Sequence, residues 1–133
     1  MLRGMVLDYA GVLTDAGAER LFDVLDAARD RGIRTALLSN AAGGGPVRRR
    51  LGCWFDELVF SGEVGVAKPD VAVFRLTADR LALPPEACVF VDDAAGNVAG
   101  AVRAGMVGVR HTSVADTLME LDALFPGLIE QAR

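Results

Sequence analysis

Apolar residues along the chain follow two alternating rhythms. Short, nearly continuous apolar runs occur at 4–8, 33–38, 57–60, 87–91 and 106–110, the pattern of strands buried on both faces. Between them lie longer segments in which apolar positions recur every three or four residues, as on one face of a helix. In 16–31 that face is Leu21, Leu25 and Ala28. Asp15 and Glu19 stand at its start, Arg29 and Arg31 at its end, and Gly32 follows, which suits the helix dipole and a glycine C-cap. Asp15 is expected to cap this helix. A short helix is expected to begin at Pro46, after the turn Gly43-Gly44-Gly45, and to close at Gly52. The segment 61–69 is expected to be a loop. From 70 to about 83, Val71, Phe74, Ala78 and Leu81 align before Pro84-Pro85 stops the helix. A small-residue helix through Val98 and Ala101 ends at Gly105, and a last one sets Val114, Leu118, Leu121 and Phe125 on one stripe.

This alternation predicts an α/β fold of three layers, with about five parallel strands and helices on both faces. A single domain over 1–133 is expected, since a chain of about this size already buries roughly 68 to 70% of its unfolded surface. In such sheets ligands bind outside the carboxyl ends of the strands. The polar residues that interrupt the apolar runs fall at that end: Asp8, Ser39-Asn40 and Asp92-Asp93, with Lys68 on the loop 61–69.

Composition narrows the function. The net charge is -4 and the isoelectric point about 4.9, against a general nucleic-acid binder, which carries an excess of basic residues. No apolar run reaches the roughly 18 residues of a membrane span, and the stretch before Asp8 is short and broken by Arg3 and Gly4, unlike a signal peptide. A cytoplasmic protein is the expectation. Cys53 and Cys88 lack CxxC spacing, so reduced, buried thiols are expected. Lys68 is the only lysine among 14 basic residues, so any chemistry that needs an amine has one candidate.

The set suggests phosphoryl transfer. A phosphate dianion needs hydroxyl and amide donors and a fixed cation, which Ser39, Asn40 and Lys68 supply. Asp8, Asp92 and Asp93 in one pocket resist joint ionisation without a cation of their own. Set against the Lys68 ammonium they leave two negative charges, which one Mg²⁺ offsets. Hard oxygen donors favour Mg²⁺ over zinc, and the single histidine of the chain agrees.

Four motifs appear in order: Asp8, Ser39 within Leu37-Leu38-Ser39-Asn40, Lys68 within Ala67-Lys68-Pro69-Asp70, and Val91-Asp92-Asp93. Together with Ser61-Gly62-Glu63-Val64-Gly65, and with Asn97-Val98-Ala99-Gly100-Ala101 ahead of Ala104-Gly105-Met106, they make the sequence resemble the haloacid dehalogenase (HAD) superfamily from Asp8 to about Phe125. The resemblance implies that Asp8 is a nucleophile forming an aspartyl-phosphate. Ser39, helped by Asn40, would bind the transferred phosphoryl group, and Lys68 would hold that group and the Asp8 carboxylate. Asp93 is the implied direct Mg²⁺ ligand of the acidic pair, with Asp92 acting directly or through water. The Asp8 carboxylate and the backbone carbonyl of Ala10 would complete the protein's share of the ligands.

Two features depart from the family. Phosphatase relatives usually carry an aspartate at the position of Ala10, which protonates the leaving group and then activates water, help worth about 10² to 10⁴ in rate. Leaving groups of low pKa need little of it. The implied activity is therefore a weak or specialised Mg²⁺-dependent phosphate-ester hydrolase. The alternative is an inactive descendant that keeps the pocket as a regulatory or scaffold module. Phosphonate-cleaving relatives share the alanine but use a cap-domain lysine, whereas Lys68 already serves the third motif. Dehalogenating relatives usually carry tyrosine at residue 10's position; Tyr9 is one place off, and strand alternation predicts that it faces the other way. The second departure is spacing: Ser39 follows Asp8 by 31 positions and Lys68 follows Ser39 by 29, too few for an inserted cap domain. Capless relatives tend to act on large phosphorylated substrates or to borrow a lid from an oligomeric partner, so the resemblance implies a phosphorylated, macromolecular substrate or a homo-oligomer. Arg48-Arg49-Arg50 reads as a solvated helix face, and His111 as structural or exposed rather than as a stand-in acid.

Overall fold

The computed structural model describes residues 1–132. Five strands, β1 (Gly4–Leu7), β2 (Arg34–Ser39), β3 (Glu57–Phe60), β4 (Cys88–Asp92) and β5 (Val107–Arg110), form one sheet in the order β3-β2-β1-β4-β5. Every neighbouring pair is parallel. The central strand β1 is in register with both partners, Leu7 opposite Leu37 on one side and Val91 on the other. The next residues along the three strands, Asp8, Leu38 and Asp92, are therefore level at the carboxyl edge.

Among the described residues seven α-helices connect and cover the sheet: α1 (Glu19–Asp30), α2 (Gly45–Leu51), α3 (Ser61–Val64), α4 (Val71–Arg80), α5 (Ala95–Arg103), α6 (Val114–Leu124) and α7 (Leu128–Gln131). Successive strand residues point to opposite faces, so β1 to β4 each feed two cores, whereas the edge strand β5 feeds one through Val107 and Val109. Met5, Leu7, Leu37 and Val91 pack with Leu21, Leu25, Leu118 and Leu128 on one side. Val6, Ala36, Leu38 and Phe90 pack with Phe74, Ala78 and Ala101 on the other. This is the predicted three-layer α/β fold, and the two-sided burial explains why the strands read as unbroken apolar runs. Between β1 and β2 lie a turn and α1, and between β2 and β3 lies α2; no domain is inserted among the described residues.

Several expectations are corrected. α1 begins at Glu19 with Ala18 as its N-cap and no side-chain cap bond; Asp15 instead faces His111, its Oδ2 2.9 Å from Nε2. The expected loop 61–69 opens with the short helix α3, pinned to its neighbour by a bond from the Gly62 N–H to the Ala41 carbonyl at 2.9 Å. α7 was not expected; Pro126-Gly127 interrupts the last stripe, and Leu128 restarts it as a buried anchor. β1 stops at Leu7, and Tyr9–Leu13 is a wide turn in which Ala10 is extended and Gly11 left-handed. Strand alternation therefore does not aim Tyr9. Its ring packs against the first core with the Arg50 guanidinium carbon 5.9 Å from its centroid. Cys53 is exposed rather than buried, whereas Cys88 is buried and its burial, reinforced by Glu86, pushes its thiol up to about 11. No helix among the described residues is long and apolar enough to cross a membrane.

Candidate active site

The centre of the site is set by where β1 ends. Asp8 stays extended, and its N–H continues the sheet by donating to the Val91 carbonyl at 3.0 Å. The chain then turns through Ala10 and Gly11, the latter at φ 84°. Only glycine suits Gly11 on two counts: the left-handed backbone, and an approach so close that a Cβ there would lie 2.4 Å from Asp93 Oδ2. The Gly11 N–H is taken up by Thr14 Oγ1 at 2.9 Å, which closes the turn.

Lys68 joins the strand ends. Its Nζ donates to Asp8 Oδ1 at 2.8 Å, to Asp92 Oδ2 at 2.9 Å and to the Leu38 carbonyl at 3.0 Å. All three ammonium protons are thus used on a side chain that is 2% exposed, with the Phe90 ring centroid 5.5 Å away. The lysine backbone is clamped by Asn40, whose Oδ1 accepts from the Lys68 N–H and whose Nδ2 donates to the Lys68 carbonyl, each at 3.0 Å. Gly100 lets α5 approach this loop; a Cβ there would lie 2.4 Å from the Pro69 carbonyl oxygen.

Asp92 is fully buried and fully engaged. Its Oδ1 accepts from the Ala94 N–H at 2.9 Å, and its Oδ2 accepts from Asn97 Nδ2 at 3.1 Å as well as from Lys68. Burial is the largest effect on this carboxyl and pushes its pKa up, but the Ala94 N–H, Lys68 and Asp93 together outweigh it and hold the group below its ordinary value. Asp8 ends on the other side: burial raises it, Lys68 opposes, the neighbouring Asp92 charge adds to the rise, and the net is upward. Asp92 is thus the settled counter-ion of Lys68, and Asp8 is the carboxylate that gains most from a further cation. Asp93 is exposed, and one carboxylate oxygen from each of Asp8, Asp92 and Asp93 lies within 4.8 Å of the others.

The structure brings together Asp8, Lys68, Asp92 and Asp93. Ser39 closes β2 one residue beyond Leu38 and is buried. Asn40 reaches the site through the Lys68 backbone, so its amide side chain is spent on holding the lysine. Ala10 is exposed beside Gly11. His111 is structural and buried, its Nδ1 2.6 Å from Thr117 Oγ1 and its Nε2 facing Asp15, so both ring nitrogens are occupied and neither serves as an acid at Asp8. Arg48, Arg49 and Arg50 are exposed, as expected; Arg48 is also tied to Glu63 and lies over the Phe60 ring. Asn97, named above only within a run that carries the family resemblance, proves to be a site residue. It sits in the first turn of α5, five positions after Asp92, within reach of that carboxylate. A cleft of about 910 Å³ lies at the opposite end of the sheet between Arg29, Arg34, Asp56 and Arg80. Arg29 is held there by Asp56 and the Cys53 carbonyl, and Arg34 by the Leu81 and Ala82 carbonyls, so size does not mark the site; the convergence of ionised groups does.

Residues 4–105 match the model of the haloacid dehalogenase-like hydrolases. The chain belongs to this family. Among related sequences, the mouse acyl-CoA dehydrogenase family member 10 is 31% identical over 129 residues, 90% of this chain and 12% of its own length. A glyceraldehyde 3-phosphate phosphatase from Methanopyrus kandleri is 47% identical over 58 residues, 43% of this chain and 25% of its own length. This HAD-like chain thus spans a quarter or less of either relative. A crystal structure of a protein from Corynebacterium glutamicum superposes with a TM-score of 0.86 at 39% identity, covering 98% of this chain and 96% of that one.

Proposed function

We propose that the chain is a Mg²⁺-dependent phosphate-ester hydrolase that works through an aspartyl-phosphate on Asp8 and is confined to substrates with good leaving groups. The observation that carries this is the Lys68 ammonium bridging Asp8 and Asp92 at 2.8 and 2.9 Å beside a third carboxylate. Lys68 fixes the Asp8 oxygen that it binds, leaving the other carboxylate oxygen to attack phosphorus. The Ser39 hydroxyl is one residue from the carbonyl that anchors Lys68 and is suited to donate to a phosphoryl oxygen. The donor's phosphorus–oxygen bond breaks as the Asp8 oxygen–phosphorus bond forms. Water then attacks the aspartyl-phosphate to release inorganic phosphate.

The donor set fits Mg²⁺. Three carboxylate oxygens converge within 4.8 Å, they are hard ligands, and the missing Cβ of Gly11 leaves room for the Asp93 carboxylate. Asp8, Asp93 and the Ala10 carbonyl would hold the ion, with Asp92 acting directly or through water. When bound, Mg²⁺ supplies charge neutralisation for the phosphoryl oxygens. The residues that follow the ends of β1, β2 and β4 include Ala10, Gly11, Ala41, Ala42, Ala94 and Gly96, which carry almost no side chain; this supports a large phosphorylated substrate or a second copy of the chain as a further wall.

The test is phosphate release from p-nitrophenyl phosphate with and without Mg²⁺. Turnover is expected in the wild type with Mg²⁺ and is expected to vanish in Asp8→Asn. Mg²⁺-dependent binding of a phosphate mimic with no turnover above Asp8→Asn would replace the hydrolase with the regulatory module.

A further inference from the structure

Resting on that reading, we infer that Asp8 is the seat of a long-lived phosphoryl group: the chain accepts phosphate readily from an activated donor of the acyl-phosphate class and gives it up to water slowly. The two half-reactions make different demands. In the first, a lone pair of an Asp8 oxygen forms the new bond to phosphorus, and the bond from phosphorus to the donor's bridging oxygen breaks. Its electron pair leaves on a carboxylate, which is stable without a proton. In the second, the oxygen of an attacking water bonds to phosphorus while the bond from phosphorus to the Asp8 oxygen breaks and its electron pair returns to the Asp8 carboxylate; the water must lose a proton as it attacks, and a base assists that loss.

No side chain near Asp8 is placed to be that base among the described residues. Residue 10, two places after the nucleophile, is alanine. Lys68 spends all three protons on Asp8, Asp92 and Leu38. Both oxygens of Asp92 already accept bonds. Glu63 is held by the Gly44 N–H and by Arg48. His111 is 4% exposed with both ring nitrogens occupied, one of them by Asp15. The ring of Tyr9 lies beneath Arg50. Asp93 has free oxygens, but it is among the carboxylates that would hold the cation. The active site is therefore better equipped for phosphorylation than for dephosphorylation, and the second half-reaction limits turnover.

Ala10 provides the control. It is exposed, at φ -67° and ψ 126°, a backbone that aspartate adopts freely. The experiment exposes wild type, Ala10→Asp and Asp8→Asn to acetyl phosphate with Mg²⁺ and follows intact mass and phosphate release together. Borohydride reduction, which turns an aspartyl-phosphate into homoserine, locates the group without relying on any variant. The wild type is expected to gain one phosphoryl group at Asp8. That adduct should outlast the one on Ala10→Asp by about 10² to 10⁴-fold, the worth of general acid-base help. Rapid phosphate release by the wild type with no adduct, or equal adduct lifetimes in the two proteins, would overturn this inference and leave the hydrolase standing. An adduct at any residue other than Asp8, or neither adduct nor release, would overturn both.

Discussion

Lys68 shows what a single residue contributes here. Its ammonium is buried between two carboxylates, and removing one partner of such a set leaves uncompensated buried charge, at a cost of about 3 to 5 kcal/mol. Lys68→Met should lose that much stability in urea unfolding and all of the proposed phosphate-ester hydrolysis, whereas Asp8→Asn, which still accepts from Nζ, should lose that activity at a far smaller cost in stability. The pH dependence separates the two acids. Asp8 is raised in the folded state, so without metal the fold binds the extra proton and its stability falls as pH rises through the raised value. Asp92 is lowered, so its contribution is present above the ordinary carboxylate value and is lost as pH falls through the depressed one. Urea midpoints measured in EDTA across the acid range should therefore lose their alkaline-side decline in Asp8→Asn and their acid-side decline in Asp92→Asn. Asp8, Ser39, Lys68 and Asp92 were legible in the sequence because each is polar where an apolar run ends or is the only residue of its type. The roles of Asn40 and Asn97 were not, since each depends on a partner that only the fold delivers: the Lys68 backbone 28 positions away, and the Asp92 carboxylate across the first turn of α5.

At the scale of elements, legibility followed length and two-sided burial. All five strands were readable within a residue or two: β1 to β4 because apolar residues line both faces, and the half-buried edge strand β5 because Gly105 precedes it and its valines share one face. α3 and α7, at four residues each, are too short to show a period, and tertiary contacts hold them. The end of α1 that was misread, at Asp15, has a side chain that found a distant partner instead of the local cap. Close packing between elements also serves the site. α5 touches the Lys68 loop through Gly100, whose missing Cβ would meet Pro69 at 2.4 Å and Phe74 at 3.0 Å. Gly100→Ala should cost about 1 to 3 kcal/mol through overpacking, visible as a lower urea midpoint. It should also slow adduct formation at Asp8, because the Lys68 loop is what must yield.

For the whole molecule, the order β3-β2-β1-β4-β5 was not written in the periodicity, which predicts parallel strands without saying which are neighbours. That order sets β1 between β2 and β4 and makes one edge of the sheet a cluster of three carboxylates. A cation that binds this cluster only in the folded state must stabilise the fold, by about 2.7 kcal/mol when its concentration is a hundred times its Kd. Mg²⁺ should therefore raise Tm in a thermal scan, and Asp93→Asn should abolish most of the rise while leaving the metal-free Tm nearly unchanged, since Asp93 is exposed.

The contact between His111 and Asp15 reaches across 96 positions, and His111 and Thr117 both lie beyond the 4–105 stretch that matches the family model. The loop after the nucleophile is thus moored to a part of the chain that carries no motif. Cutting that mooring with His111→Ala leaves every motif residue in place and should make 9–17 the first stretch a protease nicks under native conditions, a difference that limited digestion followed by mass mapping would reveal.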